Sequence, residues 1–204
     1  MTSSWSIAGR PVGRTHPPYI IAEMSGNHNG DKERALALIN AAASMGADAV
    51  KLQTYTADTI TIDHAGPGFV VKGGLWDGRT LYDLYQEAHT PWEWHADLFA
   101  RGRELGVTVF SSPFDETAVD FLEDLGCPAY KIASFEAMDT PLVRKAVATG
   151  KPLIVPTGML TPDEIDDLKI QLDNMGADKV GLLHCVSAYP APIESSNIKA
   201  IPEL

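Results

Sequence analysis

Cysteine is scarce in this 204-residue chain. Its two cysteines, Cys127 and Cys185, stand in no metal-binding or redox spacing, which excludes a disulfide framework and reads as reduced thiols in a cytosolic protein. Positive charge is also short: 16 Lys and Arg face 27 Asp and Glu, a formal balance of −11. That balance excludes a general nucleic-acid or anionic-membrane partner, so an anionic ligand would need locally concentrated cations. Long apolar runs are missing. No window approaches the ~18 apolar residues of a membrane helix, and MTSSWSIAGRPVGRTHPP has no stretch of signal-peptide length, so the expected location is the cytoplasm. The phosphate loops GxGxxG and GxxxxGK[ST] are absent as well, which weakens any nucleotide-binding reading.

What the chain does contain is a repeat. Short apolar runs at 19–23 (YIIAE), 47–53 (ADAVKLQ), 107–112 (VTVFSS), 128–134 (PAYKIAS), 152–158 (PLIVPTG) and 179–185 (KVGLLHC) alternate with helical patterns. Gly46, Gly106, Gly126, Gly150 and Gly176 precede all but the first run, at positions suited to a left-handed residue closing a helix. Thr90 in TPWE and Thr161 in TPDE read as N-caps of capping boxes, and Asp115 and Thr140 as further caps. Nearly continuous apolar strands separated by single helices predict parallel β/α units buried on both faces. Six units favour an α/β fold of the TIM-type (β/α)₈ barrel class, truncated here after about six units, over a doubly wound sheet. Residues 54–89 interrupt the repeat with turns at HAGPG and KGGLWDG and a helical patch LYDLYQEA; an insertion of that length reads as a site cover or a structural flap.

In such a barrel, chemistry collects at the C-terminal ends of the strands. Those ends carry Glu23, Lys51, Gln53, Ser111, Ser112, Lys131, Ser134, Glu136, Thr157 and His184. Period-two alternation puts Lys51 and Gln53 on one strand face, and a lysine inside a barrel demands a counter-charge from a carboxylate or a bound anion. Each residue also has a plainer role open to it: Glu23 with Lys51 or Lys131 as a buried ion pair, His184 as a satisfied histidine, the Ser111–Ser112 pair as the close of a turn. Together, two cations, two carboxylates, hydroxyls and an imidazole suit a phosphorylated or carboxylated metabolite. Gly26 and Gly158 would let backbone approach that ligand. Asn27, His28 and Asn29 either shape the site or merely form the turn.

The stretches IIAEMSGNHNG, AVKLQTYTADT, LYDLYQEAHTPWEWH, FSSPFDETAVDFLEDL, YKIASFE, PTGM and LLHCVSAYP resemble the sialic acid synthase family, most of all its pseudaminic acid synthase branch, over nearly all of residues 18–204. The resemblance implies condensation of phosphoenolpyruvate with the open-chain aldehyde of an N-acetylated amino sugar, for this branch 2,4-diacetamido-2,4,6-trideoxy-altrose, with release of phosphate. It also implies a divalent metal ion, Mn or Mg, as Lewis acid, and a homodimer in the full-length protein. Carried over by residue, Lys51, Ser112, Lys131 and Ser134 are expected to bind phosphoenolpyruvate, Gln53 and Glu136 to meet the sugar, Glu23 to handle a proton, and His184 to hold metal.

Two departures accompany the resemblance. Pro156 stands where the family commonly has a serine, which removes one phosphate contact. The chain stops in what reads as the sixth helix, so strands seven and eight, a second metal histidine and the C-terminal antifreeze-like domain are expected to be absent, with residues 1–17 an N-terminal extension. Alternatives are an N-acetylneuraminate or legionaminate synthase using an N-acetylmannosamine-type sugar, a Schiff-base aldolase with Lys131 as nucleophile, and an inactive remnant or ligand-binding module.

Overall fold

A computed structural model describes residues 5–74, 76–188 and 191–204. Residues 1–4, Leu75 of KGGLWDG, and Tyr189 and Pro190 of LLHCVSAYP lie outside the described residues. The strands are β1 (Trp5–Ile7), β2 (Arg10–Val12), β3 (Ile21–Glu23), β4 (Ala49–Thr54), β5 (Thr108–Pro113), β6 (Tyr130–Lys131), β7 (Leu153–Pro156) and β8 (Val180–Leu183). The helices are α1 (Lys32–Ser44), α2 (Ala57–Ile60), α3 (Leu81–Ala88), α4 (His95–Leu105), α5 (Glu116–Asp124), α6 (Thr140–Ala148) and α7 (Pro162–Asn174). Every expected apolar run holds a strand, shorter than the run except that β4 and β5 each continue one residue past its end.

These elements form two compact units. The first is Pro18–Cys127; the second is Pro128–Leu204 with the N-terminal residues through Pro17. In the first, β4 pairs in parallel with β3 and with β5, and the register sets Glu23 beside Lys51 and Gln53 beside Ser112. In the second, β7 pairs in parallel with β6 and with β8. Parallel neighbours joined by helices are the building unit of the expected barrel.

The helices form where a cap and an apolar stripe coincide. Asp31 accepts from the amides of Glu33 and Arg34 to start α1, whose Ala35 and Ile39 are buried. Asp115 caps α5, which buries Ala118, Val119 and Leu122. Thr161 and Glu164 form the expected capping box on α7, with Pro162 in its first turn. Gly46, Gly106, Gly126, Gly150 and Gly176 all adopt the left-handed backbone that turns each helix toward the next strand.

The structure corrects several expectations. Thr90 caps nothing, because its hydroxyl is taken by His28, and TPWE opens as a 3₁₀ turn, Trp92–Trp94, before α4. α6 is capped by Asp139 rather than Thr140, since the Asp139 carboxylate accepts from the Leu142 amide. After β8 the chain forms 3₁₀ turns at Ile193–Ser195 and Ile198–Glu203 rather than the start of a sixth α-helix. Residues 5–12, read only as an extension, form a hairpin whose turn residues Ala8 and Gly9 both have positive φ. Trp5 of that hairpin packs on Gly181, where an added Cβ would meet the indole at 3.1 Å.

The 54–89 insertion has structure of its own. Val70 and Thr80 form an antiparallel bridge, α3 starts at the Thr80 cap, and the Tyr82 hydroxyl donates to Asp58 at 3.0 Å. Its first aromatic, Tyr55, lies edge-on to Tyr85 and Phe114. Among the described residues, no helix is long and apolar enough to cross a membrane.

Candidate active site

In the first unit the strand ends place Glu23, Lys51, Gln53 and Ser112 on one face, as the parallel register requires. Lys51 Nζ lies 2.7 Å from Glu23 Oε1, so the counter-charge demanded by the sequence is this carboxylate. The pair is asymmetric: the lysine side chain is 4% exposed and the glutamate 50%. Glu23 therefore meets solvent as well as its cation, and is less enclosed than a strand-end carboxylate in a barrel mouth was expected to be. The Gln53 carbonyl oxygen accepts from the Ser25 hydroxyl at 2.8 Å. Ser112 Oγ is buried and meets no hydrogen-bond partner among the described residues.

The opposite strand face carries a second polar group that the sequence reading did not single out. His95 Nδ1 lies 3.2 Å from the Pro91 carbonyl, which can only accept, so that nitrogen carries the proton. Burial holds this imidazole neutral, with its pKa lowered to about 4. Its Nε2 then accepts from the Thr54 hydroxyl at 2.9 Å, and Thr54 accepts from Ser111 at 2.6 Å. Alternation thus separates the two serines: Ser111 is tied to the helix side of the sheet, and Ser112 stays with Gln53. The available signal was the histidine of TPWEWH beside a strand ending in Thr54.

His28 is likewise structural. The Gly30 amide donates to its Nδ1, leaving Nε2 to donate to Thr90 at 3.1 Å. Burial, and then the nearby His89, push its pKa down. The loop after β3 is thereby fastened to the end of the 54–89 insertion. Gly26 adds to this, since a Cβ there would lie 3.1 Å from the Ala88 carbonyl. The lack of a side chain at Gly26 thus lets Ala88 pack against it.

In the second unit, Lys131, Ser134, Glu136, Thr157 and His184 follow the ends of β6, β7 and β8. Burial pushes the Glu136 carboxyl up; its own backbone N–H and Lys131 oppose that shift, while Asp139 adds to it. Glu136 Oε2 and Ser187 Oγ are buried without a hydrogen-bond partner among the described residues. Ser134 Oγ lies 3.6 Å from Cys185 Sγ. Gly158 is closely packed: a Cβ there would stand 2.6 Å from the Cys185 carbonyl and sulfur and 2.9 Å from Ser187 Oγ. As with Gly26, the lack of a side chain allows this packing. Thr157 donates its amide to the Leu183 carbonyl, an end-of-strand bond one residue past Pro156.

His184 Nε2 lies 2.8 Å from the Ser196 carbonyl, so it donates there and leaves Nδ1 as its one ligand nitrogen in the neutral form. Among the described residues there is no group of three or more His, Cys, Asp or Glu able to hold a metal ion. These described residues alone do not complete the expected divalent-metal site.

The model of the NeuB family matches residues 38–204. The chain is 46% identical over 188 residues to the pseudaminic acid synthase of Helicobacter pylori, covering 92% of this chain and 55% of that protein. It is 36% identical to the N,N'-diacetyllegionaminic acid synthase of Legionella pneumophila, covering 100% of this chain and 59% of the relative. Among solved structures, the N-acetylneuraminic acid (sialic acid) synthetase of Leptospira borgpetersenii in complex with citrate superposes with a TM-score of 0.87 at 26% identity, covering 100% of this chain and 66% of that one. The expected barrel-type β/α fold is shared with that enzyme. The chain spans about half the length of the curated relatives it matches.

Proposed function

Since this chain belongs to the NeuB family, we propose that it carries the phosphoenolpyruvate-binding portion of a nonulosonic acid synthase, and specifically of a pseudaminic acid synthase. The reaction is condensation of phosphoenolpyruvate with 2,4-diacetamido-2,4,6-trideoxy-altrose: the enol C3 attacks the aldehyde, water adds at C2, and phosphate leaves with C–O cleavage. The observation that carries the reading is the enclosed Lys51 ammonium within β4, held 2.7 Å from Glu23 at the end of the neighbouring β3. A cation kept out of water beside a half-exposed carboxylate is suited to an anion arriving from the solvent side.

Roles follow from the chemistry of each group together with the family motifs. From the family motifs, Lys51, Ser112, Lys131 and Ser134 are assigned to the carboxylate and phosphate of phosphoenolpyruvate. The unmatched, buried Ser112 hydroxyl supports its part, since such a group is satisfied only by an incoming partner. Gln53 and Glu136 are assigned to the sugar. Glu23 is assigned to proton handling during C–C bond formation, consistent with a carboxylate open to solvent on one side and to a cation on the other. The branch assignment is supported by 46% identity to a pseudaminic acid synthase against 36% to a legionaminic acid synthase.

Phosphate release from phosphoenolpyruvate, with Mn or Mg present and each sugar in turn, tests the proposal. The expected result is release that requires the altrose derivative. Faster release with N-acetylmannosamine would reject the branch, and phosphoenolpyruvate binding without release under any sugar would reject the synthase reading in favour of a ligand-binding module.

A further inference from the structure

Tyr55 stands one residue past the end of β4. Alternation gives it a side: Thr54 turns to the helix side of the sheet, where it meets His95, so Lys51, Gln53 and Tyr55 share the opposite face. The register agrees. Thr54 pairs with Pro113, the next pair along is Tyr55 with Phe114, and those two rings meet edge-on with centroids 5.2 Å apart. Ser112 and Phe114 fall on this same face by the same count.

The phenol there is enclosed yet unmatched. Tyr55 is 4% exposed, shut in by Phe114 and by Tyr85 of α3. Its hydroxyl meets no hydrogen-bond partner among the described residues, and unlike the Ser112 oxygen it is not sealed from solvent. An enclosed tyrosine ordinarily has such a partner. Burial, and then Tyr85, push its pKa up to about 12, so near neutral pH the group is an uncharged hydroxyl.

Distance sorts the ligand. Along the strand direction Tyr55 lies about 7 Å beyond Gln53 and about 13 Å beyond Lys51. Phosphoenolpyruvate seated on Lys51 is too short to span the second distance, whereas a sugar held by Gln53 spans the first. We infer that Tyr55 is a further sugar-contacting residue, its hydroxyl sharing a hydrogen bond with a hydroxyl or acetamido group of the acceptor sugar. This rests on the proposed contact between Gln53 and the sugar. Phe114 and Tyr85 hold the ring before the ligand arrives, so little freedom is lost when it binds.

Tyr55→Phe in the full chain tests this, because it removes the hydroxyl and keeps the ring between Phe114 and Tyr85. Calorimetric affinity is measured for phosphoenolpyruvate, for 2,4-diacetamido-2,4,6-trideoxy-altrose and for N-acetylmannosamine, each alone, and urea unfolding is followed in the empty protein. The expected result is that affinity for the better-bound sugar falls about 3- to 10-fold, the worth of one neutral hydrogen bond, while phosphoenolpyruvate affinity and the urea midpoint stay as in the wild type. A hydroxyl with a purely structural role would instead lower the urea midpoint and weaken both kinds of ligand alike. That outcome, or sugar affinity equal to that of the wild type, would overturn the inference and leave the proposed function in place. A wild-type chain that binds neither sugar rejects the proposed function, and the inference with it.

Discussion

In the first unit the polar side chains near the strand ends have largely found one another: Lys51 with Glu23, Gln53 with Ser25, Ser111 through Thr54 to His95, His28 with Thr90. In the second, Glu136 and Ser187 keep buried oxygens that nothing among the described residues satisfies, and Ser134 Oγ makes a long contact to the Cys185 thiol. The difference separates two ways of building a site. Paired groups are fixed before a ligand arrives and lose little freedom when it binds. Unmatched ones weaken the empty fold and leave hydrogen-bonding capacity that a partner of complementary chemistry would satisfy. In the first unit Ser112 follows the second pattern.

The largest expected effect lies in the buried chain of the first unit. Above pH 6.5 His95 is neutral in both the folded and the unfolded state and adds no pH dependence. Between about 6.5 and its folded value of about 4, the unfolded chain takes up a proton that the folded one refuses, so stability falls as pH falls and levels off below 4. The loss amounts to about 3 kcal/mol, and His28, whose pKa is also lowered, acts in the same direction. Urea unfolding from pH 7.5 to 4 should show this slope in the wild type and a shallower one in His95→Asn.

Gly158→Ala would disturb the second unit's packing instead. Its new methyl group meets the Cys185 carbonyl, a backbone atom that cannot step aside, at an expected cost of about 2 kcal/mol in urea unfolding. The Lys51 pair gives a third, asymmetric test. Glu23→Gln takes the carboxylate charge away from an enclosed ammonium and should cost about 1–2 kcal/mol, less than a fully buried pair because the carboxylate is half exposed. Lys51→Met frees a carboxylate that solvent can reach and should cost less than Glu23→Gln; the reverse order would break the account of that pair. The smallest effect has the opposite sign. Burial raises the Glu136 pKa, so its ionised form destabilises the empty protein above that value, and Glu136→Gln should raise the melting temperature slightly at pH 7.

Strand and helix order was legible because each β/α repeat ends on a glycine with positive φ and each strand is a short apolar run. The strand-end residues followed from alternation, which also put Lys51 and Gln53 on one face. Other features depended on partners distant in sequence. Thr90 has the sequence of a cap, yet a buried histidine 62 residues earlier claims its hydroxyl. Gly26 and Gly158 are spaced for close approach, and only packing shows that the approach is to Ala88 and Cys185. The Ser25 bond to Gln53 depends on a left-handed φ at a non-glycine residue, which no local pattern announces.

Equilibrium binding of phosphoenolpyruvate to the wild-type chain and to Lys51→Met is the most direct test of the central claim, that the enclosed lysine within β4 receives the substrate anion. Saturable binding that weakens about 100-fold in the variant, as expected for loss of an enclosed charge partner, is the predicted result. Equal affinity in the two proteins, or no binding to either, would contradict it.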